Sequence, residues 1–222
     1  YMFLMPLFFF FIIALIFLPY GFTLYSFVTL VTVPKQIWRI AKSKNIRKNH
    51  AIEHSTINVL ERFAGYHLNI SGLSREDGFY VAGIQNPEMV EQAAMEGLSL
   101  LKQGNCQMAI HRRCGTDVAI ANFIAALTFL ILLFSTGMFS LLNIIIALLI
   151  SNLISPYLGE YIQKYFTTSC DVEKMEIAGL EYELGRQETA GMLLKYFPRG
   201  YFIKTRILDR VERIHKREGE NT

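Results

Sequence analysis

Three stretches of this chain carry no charged side chain: residues 2–19 (MFLMPLFFFFIIALIFLP), 118–134 (VAIANFIAALTFLILLF) and 138–158 (MFSLLNIIIALLISNLISPYL). A helix needs ~20 mostly apolar residues to cross ~30 Å of hydrocarbon, so each stretch predicts a transmembrane helix. A chain of 222 residues has room for one or two modest domains, and a soluble one rarely buries three such runs. The sequence therefore predicts an integral membrane protein, mainly α-helical. About three spans, a small α+β cytoplasmic unit and a helical C-terminal tail are expected. The first apolar run continues to about Val33, long enough to kink at Pro19 and Gly21 or to continue as an interfacial helix over TLYSFVTLVTVPKQIW. It lacks the basic n-region and small-residue cleavage site of a signal peptide.

Lysine and arginine placement predicts orientation. Lys35, Arg39, Lys42, Lys44, Arg47 and Lys48 follow the first run with no acid among them, whereas STGMFS between the other two is uncharged. The positive-inside rule puts residues 35–117 and 159–222 on the cytoplasmic side. Four segments result: an apolar segment 1–34, a basic linker and α+β unit 35–117, a helical hairpin 118–158 and a helical tail 159–222. The net charge of +3 is small and its basic part adjoins the apolar runs. Lipid headgroups are the expected partners, not nucleic acid. On that side Cys106, Cys114 and Cys170 are expected as reduced thiols or metal ligands rather than a disulfide framework.

The segment between the first two runs changes periodicity several times. Asn49 as N-cap, a stripe of Ile52, Thr56, Val59, Leu60 and Phe63, and Gly65 predict a helix over 49–64. HLNIS (67–71) and GFYVAGI (78–84) predict strands around a GLSRED turn. Asn86-Pro87 opens a second helix that Gly104 stops, and CQMAI (106–110) predicts a last strand. The tail predicts helix, broken near YFPRGY (196–201).

The chemistry concentrates at His50-Ala51-Ile52-Glu53-His54, an H-x-x-E-H pattern, the inverted form of the zincin motif. Residues four apart share a helix face, so two imidazoles can reach one ion. Glu53 projects on the same side, where it could take a proton from a metal-activated water without being a ligand. Catalytic zinc usually has three protein ligands and an open position, so a third must come from elsewhere. His111 and Cys114 precede the second apolar run, and Cys170, Asp171 and Glu176 follow the third. All these pieces adjoin the same predicted membrane face. A solvated polar helix face is the plain alternative. His67 reads as structural, His215 as solvated, and Glu61 and Glu181 as surface acids.

In order, H-x-x-E-H, then H-x-R-C-G-T leading into a span, then Gln163, Thr167-Thr168, Asp171 and Glu176 resemble the blocks of the YqhQ-like family of bacterial membrane proteins. There the blocks run roughly HGAEH, HPRCGT and LQ-LTT-EPD, followed by a helix with a glutamate. The resemblance covers about 48–180, and the longer loop is similar to that of a cyanobacterial relative. It implies a site drawn from His50, Glu53, His54, His111, Cys114, Asp171 and Glu176, in a bacterial inner or cyanobacterial thylakoid membrane. Two departures stand out. Ser169-Cys170 replaces the family's acid-proline, and the first apolar run has no aligned counterpart. The family has no established reaction, so the resemblance implies a site rather than an activity.

The leading expectation is a zinc-dependent, metallopeptidase-like hydrolase. His50 and His54 would bind Zn2+, with Glu176 as third ligand and Cys114 or Asp171 as alternatives. Glu53 would be general base, and His111 would polarise the scissile carbonyl. The substrate would be a membrane-presented peptide or a lipid. The alternative is a non-enzymatic accessory or assembly subunit of a larger membrane complex. Its site would be structural, with four ligands such as His50, His54, His111 and Cys114. A transporter fits poorly, because the spans hold no ionisable residue.

Overall fold

The computed structural model describes residues 4–186 and 196–208. The chain divides into two compact units, one of residues 1–39 and 115–161, the other of residues 40–114 and 162–222.

The first unit is built from apolar helices. Helix α1 (Leu4–Lys42) runs without interruption through Pro19 and Pro34, so no separate interfacial helix is set off from it. Helices α4 (Gly115–Thr136) and α5 (Leu141–Ile162) make a hairpin, turning at Gly137 in the left-handed region at φ 67°. Among the described residues, three helices are long and apolar enough to cross a membrane. The hairpin closes where small or polar side chains let backbones approach. Ser151 donates to the Ala121 carbonyl, Gly159 lies against the Asp117 carboxylate, and Asn143 spans the turn to Thr136 and Met138. Phe129 packs edge-on to Phe22 of α1, 4.9 Å between ring centres.

The second unit is a two-layer α+β fold. Helix α2 (Lys44–Ala64) starts at Ser43, whose hydroxyl accepts from Ile46 N–H, and ends at Gly65 in the left-handed conformation. It begins a turn earlier than expected. Asn49 is therefore no cap: it is fully buried, donating to the Arg75 and Glu76 carbonyls and accepting from Thr205. Helix α3 (Pro87–Lys102) starts as predicted, with Asn86 accepting from Met89 N–H. The four-stranded antiparallel sheet has the order β1 (Ser71–Ser74), β2 (Gly78–Ala82), β4 (Tyr196–Ile207), β3 (Met175–Arg186). Alternation sorts its faces: Phe79 and Val81 of β2 pair with Ile203 and Tyr201 of β4, and all four are buried with Ile52, Leu60, Val90 and Leu98 of the helices.

Three sequence expectations are corrected. Beyond Thr167 the tail is not helical where the structure describes it: β3 and β4 pair as antiparallel strands there, while 187–195 and 209–222, with His215, lie outside the described residues. MEIAGLEYELG is rich in helix formers, but β2 offers an open edge to β4, and β4 to β3, and such pairing overrides propensity. CQMAI is a 3-10 turn (Cys106–Ala109), not a strand. The first strand lies at Ser71–Ser74 rather than 67–71, taking half of the expected turn.

Helices α2 and α3 meet at Gly97. A Cβ there would sit 2.7 Å from Ser55 Oγ and 2.9 Å from the Ser55 carbonyl carbon. Gly97→Ala is therefore expected to destabilise the fold by about 1–3 kcal/mol, read as a lower thermal midpoint in detergent. Gly21→Ala, which meets nothing within 4 Å, should leave the midpoint unchanged or slightly higher.

Candidate metal centre

Helix α2 is polar in composition yet buried over most of its length, including Asn49, His50, Glu53 and His54. Buried polar groups need partners, and α2 finds them on segments distant in sequence. His50 Nδ1 is 2.9 Å from the Thr167 carbonyl and His54 Nδ1 is 2.8 Å from the Ala109 carbonyl. A carbonyl only accepts, so each imidazole carries its proton on Nδ1 and turns a lone pair outward on Nε2. That is how second-shell carbonyls orient metal-binding histidines. The two rings lie 4.2 Å apart. Ligand atoms of His50, His54 and Cys114 all fall within 4.8 Å of one another, and all three residues are buried.

His54 Nε2 is fully buried with no hydrogen-bond partner. An unsatisfied buried polar atom costs roughly 1–3 kcal/mol, and a cation bound there would remove that cost. Thr167 Oγ1, in the residue whose carbonyl holds His50, is the other such atom among the described residues. Burial, with the charge of His50 adding to it, holds His54 well below the usual histidine range, against the pull of the Ala109 carbonyl. Burial also lowers His50, against its bond to Thr167. Both are thus in the neutral form that binds metals.

Glu53 faces strand β1. Its carboxylate accepts from the Ser74 hydroxyl and lies directly over Gly72, where any Cβ would collide with it. Burial pushes its carboxyl up to about 8, opposed by the Ser74 bond. His111 lies 6.0 Å from the His54 ring, centre to centre, and its Nε2 is 3.4 Å from Glu61. Glu61, read from sequence as a surface acid, collects three donors: His111, His67 at 3.0 Å and Leu68 N–H at 3.1 Å. Burial lowers His111 more than Glu61 raises it.

The remaining predicted residues are engaged elsewhere. Glu176 alternates with the buried Met175 on β3 and pairs with Arg206 at 2.9 Å across the β3–β4 ladder. Asp171 is exposed and bonded to Lys48 at 3.0 Å. The group around the two histidines includes Cys114 and neither of these acids.

The backbone that serves the site is shaped by groups to which sequence reading gave no role. After α5 the chain forms a π turn (Gln163–Thr167) closed by Thr168 N–H to the Gln163 carbonyl at 2.9 Å. Such wide turns recur at functional sites. The buried Gln163 amide accepts from His111 N–H at 2.9 Å and donates to the His111 carbonyl at 3.1 Å. Arg47 Nη2 donates to the Thr168 and Tyr165 carbonyls. Asn58 donates to the Met108 and Ile110 carbonyls, both at 3.0 Å, on either side of Ala109.

Residues 45–180 match the family described as a domain of unknown function, DUF6391. The chain belongs to the DUF6391 family. It is also 30% identical over 135 residues to an uncharacterised protein of Picosynechococcus sp., a cyanobacterium, a match covering 56% of this chain and 66% of the relative. No solved structure matches. The matched DUF6391 region contains His50, His54 and Cys114 together with Ala109, Gln163 and Thr167, so the candidate centre and its carbonyl supports lie wholly inside it.

Gln163→Leu would strand the buried His111 N–H and carbonyl. It is expected to cost about 1–3 kcal/mol per unsatisfied group, seen as a thermal midpoint well below that of the parent protein. Gly72→Ala should also destabilise, by forcing Glu53 out of place, whereas Gly72→Ala combined with Glu53→Ala should recover part of the loss.

Proposed function

We propose that this DUF6391 protein is a membrane-anchored zinc protein with a metallopeptidase-like hydrolytic centre on α2. The observation that carries the proposal is the buried, unpartnered His54 Nε2, with His50 and Cys114 within reach and both imidazoles oriented by backbone carbonyls. Two nitrogens and one sulfur suit zinc, and three protein ligands leave a position for substrate or water. When bound, the ion would supply Lewis acidity. Glu53, one residue before His54, is the proposed proton carrier, positioned by Ser74 and Gly72. His111, fixed by Gln163 and Glu61, is the proposed donor to the substrate carbonyl.

The three apolar helices support membrane anchoring, and the basic run from Lys35 to Lys48 supports a cytoplasmic site against anionic lipid. A peptide presented at that surface is the proposed substrate. Kinship with YqhQ-like proteins, which resemble this chain in the same blocks, is proposed alongside.

A second reading draws on the burial of all three donors. A closed structural site in an accessory subunit of a membrane complex would be buried in this way, with a fourth ligand filling the position that hydrolysis needs open.

Elemental analysis of protein purified in detergent without chelator is expected to give about one zinc per chain, lost in His54→Ala and kept in Glu53→Gln. Zinc-edge X-ray absorption should find one sulfur at about 2.3 Å and two imidazole nitrogens at about 2.0–2.1 Å, with the sulfur absent in Cys114→Ser. Cleavage of a quenched fluorescent peptide library in liposomes should fall about 100-fold or more in Glu53→Gln. Wild-type protein without metal after zinc add-back would end the zinc reading. Four protein donors with no cleavage would leave the structural one.

A further inference from the structure

The expectation of reduced thiols or metal ligands rather than a disulfide is corrected for two of the three cysteines, because compartment says nothing about proximity. The structure separates them. Cys114 lies with the histidines, whereas Cys106 and Cys170, 64 residues apart in sequence, are joined, with Cα atoms 5.7 Å apart. That spacing is within the range a disulfide requires. Cys106 is exposed and Cys170 half-buried, so reagents in solution can reach the pair, while Cys114 is buried.

The position of the pair is informative. Cys106 opens the 3-10 turn whose last residue, Ala109, gives its carbonyl to His54. Cys170 stands three residues beyond Thr167, which gives its carbonyl to His50. The Cys106–Cys170 bond therefore links the two segments that orient the two histidines. Arg47 holds the second segment by hydrogen bonds alone, and Asn58 the first.

We propose that Cys106 and Cys170 form a thiol–disulfide exchange site, with low-molecular-weight disulfides and dithiols as its co-substrates, and that its oxidised state locks the carbonyl supports of His50 and His54. In oxidation the Cys106 thiolate attacks a disulfide RSSR, forming a Cys106–SR bond and expelling RS−. The Cys170 thiolate then attacks the Cys106 sulfur, forming the internal S–S bond and expelling the second RS−. The two protons lost by the cysteines end on two RSH, and two electrons reduce RSSR. A dithiol reverses the sequence. The effect on metal affinity rests on the zinc reading above; the exchange and the locking do not.

The full-length protein in detergent is equilibrated in glutathione buffers of graded thiol-to-disulfide ratio, and its thiols are trapped with a maleimide–polyethylene glycol. One two-thiol transition is expected, absent in Cys106→Ser and Cys170→Ser, with Cys114 alkylated only after denaturation. Hydrogen exchange over 106–111 and 163–170 should be slower in the oxidised form, a difference that disappears in both variants. Zinc affinity, measured by chelator competition, should be about tenfold higher when oxidised, the low end for outer-shell changes. Two thiols alkylated independently at every ratio would overturn the proposal. So would a disulfide that changes neither exchange nor zinc affinity. Slower exchange with no zinc bound in either state would support the lock and sink the zinc reading.

Discussion

The second unit is organised around burial of a polar helix. Helix α2 carries Asn49, His50, Glu53, His54, Asn58 and Glu61, and every one of them engages a segment outside the helix. An apolar helix could bury against many surfaces, since hydrophobic contact is non-directional. A polar one is far more selective, because each donor and acceptor must meet a group at the right place. The β1–β2 turn, the 3-10 turn, the π turn and strand β4 are each fixed by at least one α2 side chain. Among the described α2 side chains, His54 Nε2 is the fully buried polar atom that has no hydrogen-bond partner. With His50 and Cys114 beside it, that nitrogen belongs to a group that could hold a metal ion.

Much of this was legible in the sequence. The H-x-x-E-H spacing gives the shared helix face directly, because helical periodicity is local. The apolar helices follow from composition and length, and the cap at Asn86-Pro87 from two residues. Glu176 shows where local reasoning stops. As a helical residue it could reach back toward the histidines, but as the neighbour of Met175 on a strand it pairs across the ladder with Arg206. Nothing within MEIAGLEYELG distinguishes the two; the deciding partner is β4, some two dozen residues on.

The second illegible layer is the backbone. Ala109 and Thr167 act through their carbonyls, and a carbonyl has no sequence signature. The π turn and the 3-10 turn aim them, and each departs from the regular helix or strand that periodicity can detect. Gln163 was visible only within a resembling block, with no role attached. Its function is to give one amide to both backbone groups of His111, across 52 residues. Glu61 was misread for the same reason: as the donors around it come from His67, Leu68 and His111, its partly buried position is a property of the fold.

The order of these pieces along the chain sets an order of assembly. His50 and His54 leave the ribosome long before Ala109 and Cys114, and Thr167 follows only after α4 and α5 have been made. Until then His50 has no carbonyl to fix its proton, and His111 has no amide to hold its backbone. The two histidines must wait, unoriented, through the synthesis of the whole apolar hairpin. Only the finished hairpin delivers the turn whose carbonyl fixes His50. Completion of the hairpin therefore precedes the orientation of His50, and strand β4, which holds Asn49 through Thr205, follows later still.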